Sequence, residues 1–262
     1  MRVYAEPFSG GAALFFALPE AEKKFKKAIL SDQNADLIAC YRAVRDDVDT
    51  ILRELKKYKY ERELFYRTRD RDVSKMSDAE RGARFLFLNR TCYNGLWRVN
   101  AKGQFNVPFG RYKNPRIVDE ENLREASAAL QNVDLRVSDF SDVLASLRKD
   151  DFAYVDPPYV PVSKTAAFTS YASGGFSDAD QVRLLEAVRR AKKRGVNVML
   201  SNADTARSRE LYEEFAVHIV KVARPINSDA KKRGDAREVI VTTWEKPGVY
   251  EEKVQKTHKR AS

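Results

Sequence analysis

Cysteine is scarce in this chain: Cys40 and Cys92 are the only two among 262 residues. Two distant thiols in a charged chain do not make the disulfide framework of a small secreted domain. They suggest reduced cysteines in a cytoplasmic compartment. Long apolar runs are also lacking, and no stretch approaches the roughly 20 residues of a membrane helix. Met1 to Gly10 show no basic segment followed by an apolar one, so no secretory signal is expected there. No internal repeat is visible, which argues against a solenoid. Negative charge is the minority sign, 38 Asp plus Glu against 48 Lys plus Arg, for a formal charge of +10. An excess of that sign favours a polyanionic partner, most often nucleic acid. What is plentiful is core material: 43% of the residues are hydrophobic, which argues against global disorder.

Val3-Tyr4-Ala5 carries a short strand signal, Pro7, Gly10 and Gly11 a turn, and Ala12 to Leu18 a helix. Ala28-Ile29-Leu30 predicts a second strand ending at Ser31-Asp32, and a helical pattern follows from Ala35 through Leu55. This order opens an α/β sheet with parallel strands. From Lys56 to Gln131 the rhythm changes to charged helical segments and a turn-rich stretch, Asn94 to Asn114. Gly95, Gly103, Pro108, Gly110 and Pro115 punctuate that stretch, which predicts a β-hairpin on a helical base. The α/β rhythm then returns, with strands expected at Val133–Val137, Phe152–Asp156, Val196–Ser201, His218–Val222 and Glu238–Trp244. Helices are expected at Ser177–Lys193 and Thr205–Phe215. The expected organisation is one discontinuous α/β catalytic domain, residues 1–55 and 132–246, interrupted by a module at 56–131. A frayed polar, basic tail is expected at 247–262.

Asp156-Pro157-Pro158-Tyr159 follows the apolar strand Phe152-Ala153-Tyr154-Val155. In open α/β sheets ligands sit beyond the carboxyl ends of strands. Two prolines stiffen the backbone and leave carbonyls that no ladder uses. Such a group suits methylation of a conjugated exocyclic amine, a poor nucleophile because its lone pair is delocalised into a ring. Two acceptors, the Asp156 carboxylate and the Pro157 carbonyl, can bind its two hydrogens and free that lone pair. Tyr159 offers a face on which an extruded base stacks. Read alone, the tetrapeptide is equally a strand-to-turn exit.

Glu6-Pro7-Phe8-Ser9-Gly10-Gly11 lies between a strand and a helix, where glycines allow close backbone approach to a ligand. Asp32, about 20 residues beyond, stands where nucleotide-binding folds place the acid that holds ribose hydroxyls. It is also a candidate helix N-cap, in competition with Asn34 and Asp36. Asp139-Phe140 can hydrogen-bond and cover an adenine ring, or cap the next helix.

Together these residues resemble the DNA adenine methyltransferase family. The motifs are Tyr4 to Gly11, Asp156 to Tyr159, Phe168-Thr169-Ser170-Tyr171, the block Leu88 to Asn100 (LNRTCYNGLWRVN) and its continuation Gly103 to Tyr112 (GQFNVPFGRY). The resemblance covers Tyr4 to Trp244. It implies a Rossmann-like, S-adenosylmethionine-dependent sheet with an inserted helical and hairpin target-recognition domain at 56–131, and no metal. It implies methyl transfer to the N6 amine of a flipped adenine in double-stranded DNA, in GATC by likeness of the block around Asn94, with a longer GATATC-like site as the alternative target. The role ranges over restriction-modification, repair marking and phage modification. Cofactor contacts are implied for Glu6, Pro7, Phe8, Ser9, Gly10, Gly11, Asp32, Asp139, Phe140, Asp156, Phe168 and Tyr171, and catalysis for Asp156, Pro157, Pro158 and Tyr159. DNA contacts are implied for Tyr93, Asn94, Leu96, Arg98, Asn100, Pro108, Arg111 and Tyr112. By the resemblance Arg98 would read the first guanine, a bidentate pairing suited to arginine, unless it is a phosphate contact or a solvated hairpin charge. Phe168 and Tyr171 shape the pocket or simply pack. Lys231, Lys232 and Arg233 lie in a stretch, Asn227 to Arg237, expected as a loop near the DNA backbone or equally as a plain solvated loop. The resemblance implies a monomer on DNA, cytoplasmic and nucleoid-associated. The family's Trp-Ala-Gly-Gly-Lys motif has no counterpart here, so a DNA-binding protein with impaired catalysis is one alternative. Methylation of another planar amine is the other.

Overall fold

The computed structural model describes residues 2–19, 23–100, 102–160, 176–223 and 235–251. The chain divides into two compact units, Met1–Val143 and Leu144–Ser262. Among the described residues no helix is long and apolar enough to cross a membrane.

In the first unit three strands run parallel in the order β3-β2-β1: β1 is Val3–Glu6, β2 Lys27–Asp32 and β3 Val133–Val137. The register sets Tyr4 beside Ala28 and Leu30 beside Leu135. Tyr4, Ala5, Ile29 and Leu30 are buried, so β1 and β2 read as the continuous apolar strings of a sheet covered on both faces. A short helix α1, Ala13–Ala17, follows β1. The expected single helix from Ala35 to Leu55 is two helices, α2 Ala35–Asp46 and α3 Val48–Leu55. Asp47 breaks it. Its carboxylate accepts the Thr50 amide at 3.1 Å and the Thr50 hydroxyl at 2.6 Å, an N-cap inside what periodicity reads as one run. Helix α4 is Arg62–Arg69. Helix α5, Asp78–Thr91, starts on a capping box in which Ser77 and Glu80 bond reciprocally, and it buries Phe85, Phe87 and Leu88. Helix α6 is Glu120–Ala129. Helix α7, Phe140–Ser146, contains the division between the units.

In the second unit the strands lie in the order β4-β5-β7-β6-β8. They are β4 Phe152–Val155, β5 Asn197–Ala203, β6 Ala216–Ala223, β7 Asp235–Thr242 and β8 Gly248–Glu251. β4 and β5 are parallel, β7 is antiparallel to both β5 and β6, and β8 runs parallel to β6. β8 corrects the expected tail: four of its residues pair with the edge of β6. β7 likewise takes in Asp235 to Arg237, which were expected to be loop. Helix α8, Asp178–Lys193, opens on a capping box of Ser177 with Asp180 and buries Leu184, Leu185 and Val188. Helix α9, Ala206–Leu211, stops four residues before the expected Phe215.

Candidate active site

The chain leaves β4 through Asp156-Pro157-Pro158-Tyr159, and side chains from β5, α8 and β7 take hold of it. Ser201 on β5 is buried, and its hydroxyl donates to Asp156 Oδ1 at 2.5 Å. Asn202, the next residue, is fully buried, and its Oδ1 accepts the Val160 amide at 2.8 Å. Gln181 is buried in the first turn of α8 and donates Nε2 to the Pro158 carbonyl at 2.8 Å. The Tyr159 hydroxyl donates to Glu238 Oε2 on β7 at 3.2 Å. Burial pushes this hydroxyl far above the ordinary phenol range, so it remains a neutral donor. Among the described residues no hydrogen bond reaches Asp156 Oδ2 or the Pro157 carbonyl, and Asp156 is exposed. The loop therefore keeps two acceptors without a hydrogen bond among the described residues, a carboxylate oxygen on exposed Asp156 and the carbonyl oxygen of buried Pro157. The sequence reading named the tetrapeptide but not Ser201, Asn202, Gln181 or Glu238. A signal for Gln181 existed: it stands at helical spacing with Leu184, Leu185 and Val188, a polar residue on an apolar stripe. Ser201-Asn202 end an apolar strand at the edge where α/β sheets bind ligands.

In the first unit the acidic and glycine residues converge. Glu6 is buried at the end of β1, where its Oε1 accepts the Tyr4 hydroxyl at 2.5 Å and the Phe15 amide at 2.9 Å. Gly10 stands at φ +45°, a left-handed conformation that suits glycine. A Cβ at Gly10 or Gly11 would meet nothing within 4 Å, so this loop faces open space. The Gly10 amide donates to Asp32 Oδ2 at 3.1 Å, and its carbonyl accepts the Tyr41 hydroxyl at 2.6 Å. Asp32 does not cap α2, since Asn34 does, accepting the amides of Asp36 and Leu37. Its other oxygen accepts the Asn34 amide at 2.9 Å. Asp139 Oδ1 accepts the amide and hydroxyl of Ser141, a cap for α7, and its Oδ2 accepts Gln33 Nε2 at 2.8 Å. Phe140 is buried and its ring stacks on Phe8, centroids 5.1 Å apart. Ser9 and Ser31 carry buried hydroxyls with no partner among the described residues. Sequence reasoning missed Gln33 and Tyr41, which sit among ordinary helix-start and helix residues. Phe168 and Tyr171, and the cations Lys231, Lys232 and Arg233, lie outside the described residues.

The expected hairpin after α5 is barely a ladder: two isolated antiparallel bridges, Cys92 with Phe109 and Val99 with Phe105. Side chains and turns replace the missing rungs. Asn100 Oδ1 accepts the amides of Lys102 and Gln104 at 2.9 and 3.0 Å, and Pro108 has no amide to offer. Asn94 takes a left-handed φ of 54° in the 3-10 turn Tyr93–Gly95. Gly110 admits no side chain, because a Cβ would lie 2.7 Å from the Cys92 carbonyl and 2.9 Å from that of Thr91. Trp97 sits between Phe85 and Phe105, centroids 4.1 and 4.5 Å away, and pins the inner side. Tyr93, Asn94, Leu96, Arg98, Asn100, Pro108, Arg111 and Tyr112 are all exposed. Besides Asn100, Arg98 and Tyr112 are braced from within: Arg98 Nε donates to Asn106 Oδ1 at 2.8 Å, and the Tyr112 hydroxyl donates to the Cys92 carbonyl at 2.9 Å. Cys92 is buried, its thiol pushed up to about 11; in buried Cys40 burial raises the thiol to about 12.

A mostly parallel α/β architecture, an acidic glycine loop and a strand that exits through Asp-Pro-Pro-Tyr define a Rossmann-like methyltransferase. The model of the D12 class N6 adenine-specific DNA methyltransferase matches residues 1–226, and the chain belongs to that family. It is 44% identical over 249 residues to the type II methyltransferase M.MjaIII of Methanocaldococcus jannaschii, covering 90% of this chain and 86% of that one. A type II methyltransferase of Lactococcus lactis subsp. cremoris is 42% identical over 249 residues, with 92% and 86% covered. The DNA adenine methylase of Salmonella typhi is 36% identical over 248 residues, with 93% and 86% covered. The chain is thus an adenine-specific DNA methyltransferase that uses S-adenosylmethionine. The first unit fits that donor: open space beside Gly10 and Gly11 adjoins a half-buried carboxylate, Asp32.

Proposed function

We propose that this enzyme methylates the N6 amine of an adenine extruded from duplex DNA, within GATC, acting as a monomer at the nucleoid in the cytoplasm. The observation that carries the reading is the pair of acceptors without a partner among the described residues, Asp156 Oδ2 and the Pro157 carbonyl, on a loop whose neighbouring polar groups are held. Two acceptors match the two hydrogens of an exocyclic amine. Bonding both draws the nitrogen toward tetrahedral geometry and returns its lone pair for attack. S-adenosylmethionine supplies an electrophilic methyl group on a sulfonium. Glu6 to Gly11, Asp32, Asp139 and Phe140 are the residues we assign to holding it, with Asp32 accepting from ribose hydroxyls. Tyr159, its hydroxyl tied to Glu238, presents its ring for stacking on the base.

On the recognition module, residues 56–131, we assign Tyr93 and Asn94 to the space that the flipped adenine leaves, and Leu96 and Pro108 to apolar base contacts. Arg98 reads the first guanine. With Nε given to Asn106, its two terminal nitrogens remain for O6 and N7. Asn100, Arg111 and Tyr112 flank them. The test uses tritiated S-adenosylmethionine with paired duplexes, one carrying GATC and one with that site scrambled, digested to nucleosides. Label in N6-methyladenine from the GATC duplex alone is expected. Equal label from both duplexes rules out GATC, and label in another nucleoside rules out the adenine amine. DNA binding with no label from either duplex supports the catalytically impaired reading.

A further inference from the structure

Gln181 and Asn202 are buried amides that touch the loop on its protein side. Their orientation follows from the backbone around them. Asn202 Oδ1 receives two amides, Val160 at 2.8 Å and its own neighbour Ala203 at 2.9 Å. That end of the side chain must be the carbonyl, so Nδ2 is the end that faces Gln181 Oε1, 3.4 Å away. Gln181 Nε2 is then a donor, and it meets the Pro158 carbonyl at 2.8 Å. The result is a directed relay from the Pro158 carbonyl through Gln181 and Asn202 to the Val160 amide. It ties down both sides of Tyr159. The capping box at Ser177 and Asp180 fixes the first turn of α8, and with it the reach of Gln181.

The relay matters because a proline pair carries two consecutive carbonyls and no amide of its own to satisfy either. Either carbonyl can accept from a substrate amine. Gln181 removes one of them from competition. We propose that Gln181 and Asn202 are positioning residues for methyl transfer: by occupying the Pro158 carbonyl and the Val160 amide, they leave the Pro157 carbonyl as the backbone acceptor paired with Asp156. This rests on the reading that Asp156 and the Pro157 carbonyl receive the two amine hydrogens. The two residues need not touch base or cofactor; they act through the loop.

The experiment measures single-turnover methylation of a GATC duplex by the full chain, beside the dissociation constants for the duplex and for S-adenosylmethionine. Gln181→Leu keeps size and removes the donor. It is expected to slow transfer roughly 10–100-fold while both dissociation constants stay within about threefold, the cost of a small misplacement of reacting groups. Gln181→Glu adds a readout that a packing role would not move. An ionised carboxylate cannot donate to the Pro158 carbonyl, but a protonated one can. Its rate, divided by that of the unaltered chain at each pH to cancel pH effects the two share, should recover as pH falls. A Gln181→Leu rate within twofold of the unaltered chain overturns the proposal. So does a flat pH ratio for Gln181→Glu, which also serves if Gln181→Leu does not fold. Asp156→Ala separates the two ideas: if it still transfers methyl at the ordinary rate, the acceptor reading itself has failed. If it is inactive while Gln181→Leu is unaffected, only the positioning role has failed.

Discussion

Asp156 is bound on one oxygen by a buried serine and open on the other, which makes it directional as well as acidic. On the proposed reading, replacing it with alanine removes an acceptor at the reacting nitrogen, with little consequence for DNA held elsewhere. Asp156→Ala is expected to lower single-turnover transfer by at least about 10²–10³-fold, the scale for losing one preorganised polar group at a reacting centre. DNA affinity by fluorescence anisotropy should change less than about threefold, and parallel loss of both would sink the assignment. Arg98 is a different case, because its guanidinium is aimed by Asn106 before any DNA arrives. Arg98→Ala should lower discrimination at the first guanine by roughly 1–3 kcal/mol. Competition binding with that base substituted measures it, and a uniform weakening across sequences would mark a phosphate contact instead.

Among the elements, β2 and β3 share an ion-pair cluster that gives the sheet edge a pH dependence. Hydrogen bonding by Arg136, with Lys27 beside it, lowers the Asp134 carboxyl to about 2. A folded-state value below the unfolded one contributes stability above the unfolded value, near 3.9. That contribution is lost as pH falls through about 2. Asp134→Asn should therefore unfold at lower temperature than the unaltered chain at pH 7, and the gap in Tm should close between about pH 4 and pH 2. The same strand was fully legible: Val133–Val137 alternates apolar and polar side chains, and the structure has those bounds. The break at Asp47 was hidden because apolar spacing continues across it, while the cap depends on a bond to Thr50 that periodicity does not encode. β8 was illegible for a different reason. Its four residues sit among charged neighbours and become a strand through pairing with β6. At the site the contrast repeats. Asp156, Gly10 and Asp32 could be named as candidates because each stands in a local motif, whereas Gln181 and Glu238 reach the loop only through the fold.

For the molecule as a whole, the +10 charge is unevenly deployed. From Arg81 to Val118 there is no Asp or Glu at all, while Arg98, Lys102, Arg111 and Lys113 lie on or just after the hairpin. Elsewhere arginines are engaged, as Arg207 is with Asp178 and Arg209 with Asp204. The acid-free stretch is where phosphates are expected to meet the protein. DNA affinity should fall steeply with salt, and each of Lys102→Ala, Arg111→Ala and Lys113→Ala should reduce the slope of log K against log salt by about 1 if the residue neutralises a phosphate. An unchanged slope in all three would move the electrostatic footprint to another face.

Cys40 and Cys92 are both buried, with thiols far less acidic than ordinary ones. Alkylating reagents attack the thiolate, so the intact chain should behave as a silent background for them. A single cysteine introduced on the hairpin surface could then carry a fluorescent dye without prior removal of the native pair. Cys92 itself lies beneath that hairpin, its Sγ 3.2 Å from the Leu96 carbonyl. The slow labelling of this one atom would serve as a built-in clock, counting how often the hairpin lifts from its base with and without DNA.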